Sequence, residues 1–148
     1  MNNWLAYVFS LAAGAANPVQ SGANAELRKQ LGTILWSGFV VYVAGLLGIL
    51  VLQLIWRQSV PSEGRIAQVS WWAWTGGAVS IASTLAGIAL VQRLGSGTFT
   101  GLNITAALIT SLVLDHFGWL GLTVHRASPT RIAGCGLMIL GLWMVNRA

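Results

Sequence analysis

Uncharged hydrophobic stretches, separated by short charged segments, recur along the whole chain. Asp, Glu, Lys and Arg are absent from 1–25, 30–56, 66–92, 94–114 and 132–146. Nearly all of these stretches reach the ~20 residues that a helix needs to cross a ~30 Å hydrocarbon layer. The pattern predicts an all-α membrane protein, one transmembrane domain over 1–148 with five helices at about 3–26, 31–56, 70–92, 97–115 and 129–146.

The connections between these predicted helices are short and contain turn-forming residues. The longest polar connection is 57–70, where Pro61 and the Glu63-Gly64 pair favour turns. Ser128-Pro129 predicts a helix N-cap followed by proline at the first helical position. Several tryptophans lie near predicted helix ends, where amphipathic rings settle at the lipid headgroup level: Trp4, Trp56, Trp71, Trp72, Trp119 and Trp143.

The composition supports the membrane prediction. With 55% hydrophobic residues, 7% charged residues and a mean hydropathy of +0.71, a soluble domain of 148 residues would expose almost no polar surface. The high isoelectric point of about 10.8 does not indicate a nucleic-acid partner, because the basic residues stand isolated at the ends of the apolar stretches. Anionic lipid headgroups are the expected partner. One cysteine, Cys135, allows no disulfide within the chain.

The basic residues are divided equally between the two membrane faces that five crossings would create. Lys and Arg in short loops normally decide which face stays cytoplasmic, so an equal division gives no preferred orientation. We therefore predict that copies insert in both directions and pair as an antiparallel homodimer. The N-terminal face would carry Arg57, Arg65, Arg126 and Arg131, and the opposite face Arg28, Lys29, Arg93 and Arg147.

Small residues recur on several predicted helices. Gly97 and Gly101 are four residues apart on the fourth helix, and the fifth helix carries Gly134 and Gly141. Helices in lipid associate through close backbone approach, which small residues permit. These glycines are therefore predicted to pack helices together, with the lining of a pathway as the alternative.

Polar side chains also occur at membrane depth. On the first helix, Asn17, Gln20 and Asn24 follow at three- and four-residue intervals and share one face beside Pro18, which lacks the N–H of an intrahelical bond. Polar groups in hydrocarbon need a partner or water, so we predict a proline-broken first helix that forms one wall of a solute cavity. The alternative is that the amides bond only to neighbouring helices. Residues predicted to complete the cavity are Tyr42, Ser80, Ser83 and Thr84.

Two carboxylates are candidates for proton coupling. Glu26 would carry a proton if it faced the cavity, and would otherwise form a surface pair with a nearby cation. Asp115 is the second candidate, with a hydrogen bond to the following turn as the alternative role. Neither histidine has partners at metal-ligand spacing, and no nucleophile with a base or phosphate-binding loop occurs. We therefore expect no metal, no cofactor and no enzymatic activity.

Three segments carry a resemblance to a known family. The run GAANPVQSGANAELRKQLG at 14–32, Trp71-Trp72 with Gly76-Gly77, and LDHFGWLG at 114–121 resemble the YdcZ-type branch of the drug/metabolite transporter superfamily. The resemblance covers nearly the whole chain. It implies a bacterial inner-membrane transporter with five helices in each half.

The same resemblance implies how a complete transporter would be assembled. Some relatives are doubled within one chain, and an odd number of helices makes such a doubled chain an inverted repeat. Two copies with opposite orientation would build the same ten-helix structure. One departure concerns Ala106-Ala107, where the family pattern is expected to show Gly-Gln. If that Gln contacts the solute in relatives, the choice of solute is expected to differ here.

Two functions from different classes remain open from the sequence. The first is a secondary transporter that exports a small organic metabolite or drug-like solute by alternating access, with proton coupling or simple exchange. The second is a non-transporting helical subunit that stabilises or regulates a larger membrane complex. Pairing with an oppositely oriented homologue is a further alternative to the homodimer.

Overall fold

The computed structural model describes residues 3–147, and every regular element in that range is helical. The all-helical prediction is confirmed. The α-helices are α1 Asn3–Leu31, α2 Ile34–Trp56, α3 Glu63–Ala67, α4 Gly76–Leu94, α5 Ser96–Phe117 and α6 Pro129–Arg147, with short 3-10 helices at Trp71–Thr75 and Trp119–Gly121.

Three helical segments within the described residues are long and apolar enough to cross a membrane. They are Ile34–Trp56, Trp71–Leu94 and Ser96–Phe117, with mean hydropathies of 2.4, 1.5 and 1.5. These segments correspond to the second, third and fourth predicted helices. The amides and terminal charges of α1, and the polar ends of α6, make those two helices less apolar. Five crossings remain a prediction.

The first helix differs from the sequence prediction in two respects. The structure shows α1 continuous through Pro18, so the interpretation of a broken first helix is wrong. One proline removes a single bond to the carbonyl of Gly14, which membrane helices tolerate. The helix also passes the predicted end at residue 26, because the residues up to Gln30 are good helix formers. It stops where Gly32 takes a φ of +77° and donates its N–H to the carbonyl of Arg28 at 2.8 Å.

The connections agree with the turn chemistry in most places. Gly95, with a φ of +81°, is the only residue between α4 and α5. Helix α6 begins at Pro129, where the Ser128 hydroxyl accepts the N–H of Arg131 at 3.3 Å. The connection 57–70 was predicted as a polar connection with turn formers at Pro61 and Glu63-Gly64, and the structure shows the five-residue α3 within it.

The chain divides into two compact units, Met1–Arg93 and Leu94–Ala148. Helices α1 and α2 pack together in the first unit, and α5 packs on α6 in the second. The buried side chains are few, and most of the large apolar side chains of the described helices are not covered by protein, as expected of surfaces that face lipid. The single five-helix domain remains a prediction.

Candidate functional site

Three hydroxyl groups meet between α2 and α4, and we call them the hydroxyl cluster. The Tyr42 hydroxyl lies 2.9 Å from Ser80 Oγ and 3.0 Å from Thr84 Oγ1. Ser80 and Thr84 are four residues apart and therefore share one face of α4. All three lie towards the middle of helices that are apolar enough to span a membrane. The structure thus brings together three of the predicted solute-binding residues.

A close helix approach positions the hydroxyl cluster. Gly38 is buried one turn before Tyr42 on α2, and a Cβ added there would lie 2.6 Å from Cδ2 of Leu85. Leu85 is the neighbour of Thr84, so the contact occurs at the level of the cluster. Sequence reasoning missed Gly38, although a glycine four residues before a mid-helix tyrosine was the available signal.

A second set of polar contacts joins the C-terminal parts of α1 and α4, and we call it the α1–α4 clamp. Arg28 Nη1 donates to the carbonyl of Ile88 at 3.1 Å and to that of Ala89 at 3.0 Å. In the opposite direction, Gln92 Nε2 donates to the carbonyl of Ala25 at 2.7 Å. Ala25 and Ile88 are buried. The sequence presented Arg28 only as a loop charge, because a bond to a distant backbone carbonyl leaves no pattern along the chain.

The predicted amides on α1 are placed differently from the hydroxyls. Asn17 and Gln20 are exposed, and Asn24 is half-buried. Within the described part of the chain, none of these three amides forms a side-chain hydrogen bond, and the same holds for the exposed Ser83. Asn17, Gln20 and Asn24, which we call the amide stripe, are therefore free to contact a solute, water or another helix. Its assignment to solute binding remains a prediction.

The two carboxylates proposed for proton coupling differ in surroundings. Glu26 is exposed; its Oε2 lies 3.7 Å from Lys29 Nζ, and its Oε1 accepts from Gln30 Nε2 at 3.2 Å. Asp115 is half-buried, and its Oδ2 lies 2.9 Å from Nη2 of Arg131. The role of either carboxylate in coupling is still a hypothesis.

Further hydrogen bonds surround Asp115 and fix the loop between α5 and α6. The His125 N–H donates to the Asp115 carbonyl at 2.9 Å, and Arg131 Nη1 donates to the His125 carbonyl at 3.5 Å. The Ala127 N–H donates to His116 Nδ1 at 3.2 Å. Among the described residues, no group of three or more His, Cys, Asp or Glu side chains is arranged to hold a metal.

Of the glycines predicted to pack helices, Gly101 lies at a close contact. A Cβ added to Gly101 would lie 2.5 Å from Cδ1 of Leu142, so α5 and α6 approach closely there. Gly97, Gly134 and Gly141 have open space around them in the described part of the chain, and a packing role for these three is still a prediction.

Long apolar helices with a hydroxyl cluster near their middle define a helical integral membrane protein. The family described as "Putative inner membrane exporter, YdcZ" matches residues 5–144, and the chain belongs to this family. The resemblance drawn from the sequence is confirmed, and with it the location in the inner membrane. The family is one of transporters rather than enzymes. No curated protein and no solved structure matches the chain.

Proposed function

We propose that the protein is a secondary transporter that exports a small organic solute across the inner membrane by alternating access. The observation that carries this proposal is the hydroxyl cluster of Tyr42, Ser80 and Thr84, which places hydrogen-bonding groups near the middle of two apolar helices. Polar groups at this depth are costly unless they have hydrogen-bond partners or face a water-filled pathway, and these three hydroxyls have only one another in the described contacts. The membership in an exporter family favours the pathway.

We propose five crossings, and the helix directions within the first unit support this number. The α1–α4 clamp joins Ala25 to Gln92, so the C-terminal parts of α1 and α4 lie side by side. Two helices separated by one returning helix run in the same direction, and the adjacent C-terminal parts of α1 and α4 are consistent with that arrangement. Helix α1 has 29 residues, and at ~1.5 Å per residue it is about 43 Å long, more than a bilayer core requires.

The second unit has the geometry of two consecutive crossings. Asp115 near the end of α5 pairs with Arg131 near the start of α6. At the other end, the Thr98 hydroxyl donates to the side-chain oxygen of Asn146 at 2.8 Å. Contacts at both ends make α5 and α6 an antiparallel hairpin. The 19 residues of α6 give a length of about 28 Å, close to the thickness of the hydrocarbon layer.

The functional unit in this proposal is an antiparallel homodimer with ten helices and an inverted repeat. The equal division of Lys and Arg between the two faces supports opposite insertion of the two copies. Reporter fusions after Arg147 should then give signal on both sides of the membrane, and two or three added lysines on one face should force one orientation. Signal from one side only would contradict the homodimer.

Transport itself can be tested without knowing the solute. Liposomes that contain only the purified protein are loaded with a metabolite extract from bacterial cells, and the released compounds are identified by mass spectrometry. We expect release of a limited set of small organic compounds above the level of protein-free liposomes. Release equal to that level would contradict the proposal and favour a non-transporting subunit of a larger complex.

The same liposomes test proton coupling. Export that depends on an imposed pH gradient would indicate coupling, and Glu26→Gln or Asp115→Asn would then remove the dependence at the coupling carboxylate. Each change removes a titratable group with little change in shape. Solute release by the unmodified protein at a rate that does not depend on the pH gradient would establish uncoupled exchange.

A further inference from the structure

The hydroxyl cluster has hydrogen-bonding capacity that its own contacts do not use. Each of its three hydroxyl groups carries one proton, and two contacts join them, both through the oxygen of Tyr42. Two protons therefore suffice for the cluster, and one remains to donate to another acceptor. Unused oxygen lone pairs remain as well. Ser80 is exposed, so a molecule beside α4 can form hydrogen bonds with the unused donor and acceptor sites of the cluster.

Two other helical serines in the same unit use their hydroxyl groups differently. Ser10 donates to the carbonyl of Ala6 at 2.8 Å, and Ser37 donates to the carbonyl of Thr33 at 2.8 Å. This bond to the preceding turn is the usual way in which a helical serine satisfies itself in an apolar environment. In the described chain, Ser80 and Thr84 make no such bond and contact Tyr42 instead. The hydrogen bonds of the cluster therefore join α2 to α4 rather than lying within one helix.

No charged side chain is among the described hydrogen-bond partners of this cluster. Arg28 binds α4 at the carbonyls of Ile88 and Ala89, one turn beyond Thr84, and not at the hydroxyls. The charged residues of the first unit occur in the C-terminal parts of α1 and α4 and in the connection after α2, at Glu26, Arg28, Lys29, Arg57, Glu63, Arg65 and Arg93. The residues that flank the cluster on α2 and α4 are aliphatic, glycine or alanine, with Ser83 as a further hydroxyl. An ion bound at the three hydroxyls would lose its hydration with no opposite charge in contact with it there, at a cost of several kcal/mol. An uncharged solute avoids this cost.

We propose that the hydroxyl cluster binds an uncharged polyhydroxylated solute, and that the protein transports this class. A polyol hydroxyl accepts the spare proton of the cluster and donates to a free lone pair, so one group on the solute satisfies both. The exposed amides Asn17 and Gln20 offer the same combination of donor and acceptor. The inference rests on the proposed transport function and names its solute class.

Three acyclic six-carbon probes that differ only at one end test the charge preference. Sorbitol ends in a hydroxymethyl group, glucamine in an ammonium group and gluconate in a carboxylate. Their radiolabelled forms are followed into liposomes that contain only this protein, with protein-free liposomes as the baseline. We expect sorbitol to enter at least tenfold faster than glucamine or gluconate.

A pair of tyrosine variants ties the result to the cluster. Tyr42→Phe removes the oxygen shared by both contacts and keeps the ring, and we expect it to lower sorbitol entry at least tenfold per folded protein. Tyr7→Phe is the matched control, because Tyr7 is the other tyrosine of the chain and is 71% exposed on α1. It should leave entry unchanged. Thermal unfolding in detergent gives the folded fraction for each variant.

The possible results separate the two proposals. Faster entry of glucamine or gluconate than of sorbitol would overturn the polyol inference and leave transport intact. Sorbitol entry at the baseline would also overturn it, and the metabolite-extract experiment would then show whether the protein transports anything. Sorbitol entry that falls only in proportion to the folded fraction in Tyr42→Phe would assign the cluster to helix packing and overturn its role in binding.

Discussion

In Met1–Arg93, the polar contacts between helices join hydroxyl to hydroxyl or a side chain to a backbone carbonyl. In Leu94–Ala148, the helices α5 and α6 are joined by an ion pair at one end and by a neutral side-chain pair at the other. The first unit has its polar groups both near the middle and at the end of its helices. The second has them at the two ends, with the contact of Gly101 and Leu142 between.

We interpret this difference as one between a proposed solute site in the first unit and a structural hairpin in the second. A neutral hydroxyl cluster near the middle of two apolar helices costs little desolvation compared with an ion and can exchange partners with a solute. An ion pair at a helix end fixes the geometry of a hairpin but lies where water and headgroups screen it. We infer that the first unit binds the solute and that α5 and α6 form a rigid hairpin.

The largest effect on stability is expected at the α1–α4 clamp. Arg28→Ala removes the guanidinium that donates to the carbonyls of Ile88 and Ala89. Hydrogen bonds from a charged donor contribute about 1.5–3 kcal/mol in proteins, and we expect a loss of about 2–3 kcal/mol here. The free energy of unfolding in mixed detergent micelles, with sodium dodecyl sulfate as denaturant, measures it.

Two neighbouring changes serve as controls for the clamp. Arg28→Lys keeps a charged donor nitrogen on a shorter side chain that reaches the two carbonyls less well, so it should recover about half of the loss. Lys29→Ala removes a side chain that is 70% exposed and should change the free energy of unfolding by about 0.5 kcal/mol or less. An equal effect of Arg28→Ala and Lys29→Ala would show that the clamp contributes nothing beyond surface charge.

The next effect concerns the close approach in the second unit. Gly101→Val places atoms where Cδ1 of Leu142 already lies, and overpacking of this kind costs about 1–3 kcal/mol. Leu142 is a flexible side chain, so we expect about 1–2 kcal/mol in the same unfolding measurement. Gly97→Val, on the same helix with open space around it, is the control. Equal losses for both would assign the effect to helix propensity rather than to packing.

A smaller effect is expected at the ion pair of the hairpin. Asp115→Asn keeps an acceptor for Arg131 but removes the charge, and partly exposed pairs contribute about 0.2–1 kcal/mol. We expect about 0.5–1 kcal/mol at low salt and less at 1 M salt, where the Debye length is ~3 Å. Glu26→Gln, at an exposed pair, should change nothing measurable. A loss that is independent of salt would mean that the hydrogen bonds, not the charge, hold the loop.

The sequence predicted what depends on the order of residues along one helix. Charge-free stretches located the helices, and Ser128-Pro129 placed the start of α6. Tyr42, Ser80 and Thr84 were selected as polar groups at membrane depth that would complete a solute cavity. The structure brings these three together as hydrogen-bond partners, and their binding of a solute stays a prediction. The family was identified from short runs of residues whose order and spacing are specific.

The small-residue pattern selected Gly101, but the partners of most contacts between two helices could not be predicted. The bonds of Arg28 and Gln92 end on backbone carbonyls, which every residue possesses, so no residue type marks their targets. The continuity of α1 through Pro18 was missed because the prediction treated one lost hydrogen bond as enough to break the helix. The helical hydrogen bonds on both sides of Pro18 hold the helix together. Gly38 was overlooked because its role depends on Leu85 of another helix.

The smallest effect on stability is expected on the amide stripe of α1. This stripe also gives the sharpest test of whether polar groups of the first unit bind solute or pack helices. Gln20 is exposed and Asn24 is half-buried, and within the described residues neither side chain forms a hydrogen bond. An amide that bonds a neighbouring helix contributes about 0.6–2 kcal/mol to helix association, whereas an amide that faces a wet cavity contributes little to assembly. We therefore expect Gln20→Ala and Asn24→Ala to change the free energy of unfolding and the stability of the detergent-extracted dimer by less than about 0.5 kcal/mol.

Transport by these two variants should nevertheless be impaired, with a raised apparent KM or loss of activity in the liposome assay. The physical reason is that a truncated side chain cannot supply the hydrogen bond that orients the solute, while the fold never depended on it. Ser10→Ala is the control on the same helix, because its hydroxyl bonds only to the carbonyl of Ala6. A weakened dimer with unchanged transport per folded protein would assign the stripe to helix packing, and the site would then be confined to the hydroxyl cluster.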